Sequence, residues 1–122
     1  MDYTRLYSDA AGESRFEDKP FDFQYIQYAP PTPSFQVSQL SPATHWGVLL
    51  LPTGWDGGLH SVPNRQVYFV LSGILEVELT NGEKRRFRPG SIVLGEDTTG
   101  KGHKTRVVGD EDLVLATVHL PV

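Results

Sequence analysis

The 122-residue sequence predicts an all-β domain of antiparallel barrel or sandwich type, with little or no helix. Three observations carry that expectation. Apolar residues fall in short runs rich in Val, Leu, Phe and Tyr, and each run is bounded by glycine, proline or acidic residues, the pattern of strands joined by tight turns. Twelve glycines and nine prolines supply the punctuation. Asn81-Gly82 also sits between two such runs, and this dipeptide meets cheaply the positive φ that both central residues of a type I′ hairpin turn need.

Taken in order, residues 1–20 mix Asp9, Glu13, Glu17 and Asp18 with Arg5, Arg15 and Lys19 and show no sustained period, so they read as an arm or loop. Phe21, Phe23 and Tyr25 then alternate as the buried side of one strand would. Ala29-Pro30-Pro31-Thr32-Pro33 follows as an extended connector, because proline lacks the amide hydrogen and restricts the residue before it. Strands are expected over 35–40, 44–51, 66–71, 74–80, 83–88, 91–94, 103–108 and 113–120. The organisation is thus an N-terminal arm with one strand over 1–33 and a barrel over 34–122.

Composition narrows the chemistry. A chain of this length makes one domain with a real core. The net charge of −4 offers no general attraction to nucleic acid or to an anionic membrane. The absence of cysteine removes disulfides, thiolate nucleophiles and sulfur-bound zinc. The polar start Met1-Asp2-Tyr3-Thr4-Arg5, and the lack of a long apolar run, give the expectation of a cytoplasmic protein with no membrane partner. No serine has a visible histidine and acid partnership, and no carboxylate pair has glycosidase spacing.

The spacing Gly54-x5-His60-x-Val62-x3-Gln66-x6-Gly73 resembles the first motif of the cupin superfamily, G-x5-H-x-H-x3-4-E-x6-G, with Val62 in place of the second histidine and Gln66 in place of the glutamate. A second, poorer match to G-x5-P-x-G-x2-H-x3-N begins at Gly90, has Glu96 and Thr98 at the proline and glycine positions, and reaches a histidine two residues late, at His103. The resemblance runs from Gly54 to about Leu120. It implies a jelly-roll β-barrel, one divalent transition metal in the barrel, and, together with the aromatic N-terminal strand, a homodimer.

On that geometry, His60 and Val62 face inward, as do Gln66, Tyr68 and Val70 on one strand and His103, Thr105 and Val107 on another. The implied metal ligands are His60, Gln66 and His103. All three are neutral, so the ion's charge would go uncompensated and binding would be loose. Asp97, His45 or His119 would complete a sphere only if the fold turned one of them inward. Asp97 and Tyr68 are the candidate catalytic groups for proton transfer, and His60, Gln66, Tyr68, His103 and Trp55 the candidate ligand contacts, with the Trp55 indole in a glycine-rich loop able to stack on a planar ligand.

Two further features are set aside. Gly95-x4-Gly100-Lys101 opens like a phosphate-binding loop, but Gly102 stands where a Ser or Thr would hold magnesium, Glu96 and Asp97 put negative charge at the phosphate position, and no helix follows. Lys84, Arg85, Arg86 and Arg88 are basic without interleaved aromatics and read as a solvated strand face. The expected function is binding of a small molecule in a polar cavity around two histidines and one glutamine, with room for a weakly held divalent metal. The alternative is a metal-dependent isomerase, lyase or dioxygenase acting on a small carbonyl or enediol substrate.

Overall fold

The computed structural model describes residues 1–122 and contains strands only. They are β1 (Asp2–Ser8), β2 (Ser14–Pro20), β3 (Phe23–Ile26), β4 (Phe35–Ser38), β5 (His45–Leu51), β6 (Asp56–His60), β7 (Gln66–Ser72), β8 (Ile74–Leu79), β9 (Lys84–Phe87), β10 (Ile92–Gly95), β11 (His103–Val108) and β12 (Leu113–His119). No helix long and apolar enough to cross a membrane is present.

Two sheets form the barrel, one in the order β2-β1-β10-β7-β12-β5 and the other in the order β6-β11-β8-β9. All neighbours are antiparallel except β1 and β10, which run parallel with Leu6 opposite Gly95. Alternation puts one side of each strand between the sheets. Leu75, Val77 and Leu79 of β8 face Val70 of β7 and Leu113 and Leu115 of β12 across the interior, all buried. Each such burial contributes about 1.5–3 kcal/mol.

Three expectations are corrected. Residues 2–20 are not a structureless arm: β1 and β2 form a hairpin at the end of the six-stranded sheet, held by seven registered pairs. Their inward residues are the modest Thr4, Leu6 and Ser14, too few and too polar to declare a period in a segment crowded with charge. β4 belongs to neither barrel sheet and pairs only with β3, so Phe23 and Tyr25 are 40% and 74% exposed rather than buried. The third correction is β6, concealed in a glycine-rich segment that reads as a loop. A Cβ at Gly57 would run into the Trp55 ring and approach Thr105, so glycine is what lets the indole lie against this strand.

Candidate functional site

The site is built where β6 and β11 pair. His103 stands opposite His60 in their antiparallel ladder, and the two imidazole centroids lie 5.1 Å apart. Gly102 makes this possible. It has φ +78°, and any Cβ there would strike the backbone carbonyl of His60, so only glycine lets the chain pass that close.

Behind His103 lies Asp97, with no exposed surface. Its Oδ2 sits 2.5 Å from His103 Nδ1 and also accepts a hydrogen bond from Ser14 Oγ at 2.6 Å. With Ser14 Oγ donating to the same oxygen, Oδ2 acts as the acceptor of the pair and Nδ1–H as its donor, so Nε2 is the nitrogen left to face a ligand. No protein group donates to Asp97 Oδ1, which makes the carboxylate dependent on His103 and Ser14 for its place in the interior. His60 is fixed in the same sense, its Nδ1 lying 2.9 Å from the Gly58 carbonyl. Two imidazoles therefore share a tautomer and offer Nε2 from adjacent strands.

They line a cavity of about 130 Å³ together with Tyr68, Thr105 and Trp55. The rest of its wall is apolar, with Leu6, Val62, Val77 and Leu115 among the side chains. Burial, and secondarily the negative charge of Asp97, push the Tyr68 phenol up to about 12. Tyr68 thus remains a protonated hydroxyl. The apolar walls favour a ligand body without charge.

Of the residues singled out by sequence, His60, Tyr68, His103 and Trp55 meet in this cavity, and Gln66 and Asp97 do not line it. Gln66 is 4% exposed, and its carboxamide is spent on protein: Oε1 accepts from Thr117 Oγ1 at 2.7 Å, and Nε2 donates to the Asn64 carbonyl at 3.1 Å. His45 and His119 lie opposite each other on β5 and β12, outside the cavity lining. Ser14 and Thr117 escaped the sequence reading. Ser14 is 83 positions from the carboxylate it holds, and no local pattern marks such a pair.

The donors do not fit a divalent transition metal. Two neutral imidazoles face the cavity, the third motif position is the apolar Val62, and the Gln66 oxygen already accepts a hydroxyl proton. No group of three His, Cys, Asp or Glu side chains comes together anywhere in the chain. Asp97, the one carboxylate near the histidines, has committed its Oδ2 to His103 and Ser14.

Beside Asp97, Glu96 points the other way and pairs with Arg5 of β1 at 2.6 Å and with Arg65. Burial pushes its carboxyl up, and the two guanidiniums more than reverse that, leaving it below its ordinary value. The loop that reads like a phosphate cradle is fastened as well, since Lys101 pairs with Glu13 and its amide donates to the Gly12 carbonyl.

Residues 47–119 match the Cupin domain family, more than half of the chain. The chain belongs to the cupin family. Among solved structures, this cupin is similar to a Cupin 2 conserved barrel domain protein from Salinispora arenicola, at 16% identity and a TM-score of 0.54 over 84% of this chain and 76% of that one. It is also similar to the Cnp3 cupin domain of Schizosaccharomyces pombe, at 13% identity and a TM-score of 0.51 over 99% and 83% of the two chains. At these identities the likeness establishes the jelly-roll barrel alone. A comparison with curated proteins finds no match.

Proposed function

We propose that this cupin binds a compact, mostly apolar small molecule in its barrel and holds the polar end of that molecule without a metal. The observation that carries this reading is the Asp97-His103 pair. A wholly buried carboxylate fixes the proton of one imidazole and turns the other nitrogen toward an otherwise apolar cavity. His60 Nε2 is a second acceptor and the Tyr68 hydroxyl a donor. A ligand bearing a hydroxyl beside a carbonyl or a ring would match all three.

Size restricts the ligand further. A cavity of about 130 Å³ suits a body near that of a benzene ring, which fits a dry protein cavity of roughly 150 Å³. The Trp55 indole, 36% exposed, lies at the wall where a ring would stack.

The same pair favours a second reading, acid and base chemistry of the isomerase kind. His103 Nε2 would take a proton from carbon beside a carbonyl, and the Tyr68 hydroxyl would donate to the carbonyl oxygen. Asp97 acts here through His103, as a positioning residue. Exchange of that carbon-bound hydrogen for deuterium in heavy water, lost in His103→Ala, would distinguish catalysis from binding.

Binding itself is tested by thermal shift, in chelator, with phenol, cyclohexanol and small hydroxyketones. The expected result is a raised Tm with at least one of these compounds that His60→Ala and His103→Ala both abolish. No stabilisation by any compound, or stabilisation retained by both variants, overturns the reading.

A further inference from the structure

The β1–β2 hairpin and the loop that leads into β11 are fastened to each other almost residue by residue. The Glu96 amide donates to the Leu6 carbonyl at 2.7 Å, and the Lys101 amide to the Gly12 carbonyl at 2.9 Å. Ser8 Oγ donates to the Thr99 carbonyl at 2.7 Å, Arg5 pairs with Glu96 at 2.6 Å, and Lys101 pairs with Glu13 at the hairpin turn. A Cβ on Gly100 would strike the Gly12 carbonyl, so the two turns lie in contact. The barrel itself holds the same loop at Val62, whose amide donates to the Asp97 carbonyl at 3.1 Å, and at Arg65, which pairs with Glu96.

Two side chains of the hairpin go further and reach the ligand site. Ser14, 1% exposed, donates to the carboxylate that fixes His103, and Leu6, 3% exposed, is part of the cavity wall. The hairpin is thus a wall of the cavity and the far support of its histidine.

Its hold on the rest of the barrel is slender. β2 pairs with β1 alone, and β1 joins β10 through three registered pairs in parallel sense, the slightly weaker kind of ladder. At the other sheet, Phe16 packs on Phe87, and Arg85 of β9 pairs with Asp18 and lies over the Phe16 ring. A two-stranded unit attached in this way is the kind that opens locally, at a lower free energy than the core unfolds.

We infer that the β1–β2 hairpin is a clamp on the ligand site, with Ser14 as the positioning residue through which it acts. When the hairpin is seated, Ser14 holds Asp97, Asp97 holds the Nδ1 proton of His103, and Leu6 closes the cavity. When it lifts, the loop, the imidazole and the wall are released together. The clamp deepens the binding reading above and rests on it for its use. A molecule held against Leu6 and His103 favours the seated hairpin, and by linkage a seated hairpin favours the molecule to the same extent. Contacts that touch neither the cavity nor the loop, such as Arg85 with Asp18, therefore tune the site.

Hydrogen exchange of the backbone amides, combined with saturation transfer from water to the His103 Nδ1 proton, tests this on the full chain. No ligand is added, so the outcome is independent of the thermal-shift test of binding. In the wild type, the β1 and β2 amides are expected to exchange through an opening about 10-fold or more frequent than the one that exposes the β7 and β12 amides. Arg85→Ala is expected to quicken the hairpin amides and the His103 proton by one shared factor, about 3-fold or more. Ser14→Ala is expected to quicken the His103 proton at least about 10-fold. Hairpin amides that exchange only together with those of β7 and β12 overturn the inference, because the hairpin then has no opening of its own. A His103 proton that keeps its wild-type rate in Arg85→Ala while the hairpin amides quicken overturns it too, and an unchanged rate in Ser14→Ala removes Ser14 from the role. Should Ser14→Ala fail to fold, the exposed Arg85→Ala carries the test.

Discussion

Asp97 is wholly buried and meets His103 through a single contact, Oδ2 to Nδ1 at 2.5 Å, with Ser14 of the N-terminal hairpin on the same oxygen. The hairpin that caps one end of the sheet therefore also completes the chemistry inside the barrel. Asp97→Ala, leaving the His103 Nδ1–H buried and unpartnered, is expected to lower the unfolding free energy by about 1–3 kcal/mol. Ser14→Ala is expected to cost about 1–3 kcal/mol. Urea unfolding checks both, and a loss below about 1 kcal/mol for Asp97→Ala would show that the pair carries little.

Metal content separates this cupin from the metal-holding pattern its first motif resembles. Elemental analysis of protein purified without chelator is expected to find well under one equivalent of any transition metal. The double variant Val62→His and Gln66→Glu, which restores the missing donors, is expected to retain zinc. One equivalent in the wild type, lost in His60→Ala and His103→Ala, would contradict the assignment.

Alkaline titration isolates Tyr68. The folded phenol is raised from 10.0 to about 12, so between those values the unfolded chain releases a proton that the folded chain keeps. Stability is full below about pH 10 and falls as pH rises toward 12, by about 2–3 kcal/mol for the two-unit gap. Absorbance at the phenolate band is expected to show one late-titrating tyrosine that disappears in Tyr68→Phe, with a shallower alkaline loss of stability in that variant.

At acid pH the sensitive group is Glu96. Its folded carboxyl lies below the ordinary value, so its contribution is present above the unfolded pKa of about 4.5 and is lost as pH falls through the folded value. Because Glu96 ties Arg5 of β1 to Arg65 of the loop before β7, hydrogen exchange in β1 and β2 is expected to quicken there first. Glu96→Gln is expected to show the faster exchange already at neutral pH.

The barrel was legible in the sequence where period and turn chemistry agree. Gln66, Tyr68 and Val70 share an inward row, as do His103, Thr105 and Val107. Asn81-Gly82 does lie between β8 and β9, but only Gly82 has positive φ, at +90°, so the turn is not the type I′ expected: the Gly82 amide donates to the Leu79 carbonyl across Thr80 and Asn81. His60 and His103 meeting in one cavity followed from motif spacing on the resembled fold. What the sequence concealed has physical causes. β6 hides in glycines whose missing side chains erase alternation. β1 and β2 bury Thr4 and Ser14, residues that read as polar surface until a partner 83 positions away is known. Asp97 stands out as a proton-transfer group, but nothing local shows that it lies behind His103, outside the cavity lining, and acts on that imidazole.

Long-range proton–nitrogen NMR of the four imidazoles, recorded with and without phenol or a small hydroxyketone, reads the tautomers and the ligand contacts of His60 and His103 directly. His60 and His103 are both expected to carry the proton on Nδ1, an added ligand is expected to move their Nε2 signals and leave those of His45 and His119 in place, and Asp97→Asn is expected to release the tautomer of His103. A His103 protonated on Nε2 alone, or ligand shifts confined to His45 and His119, would contradict the proposed site.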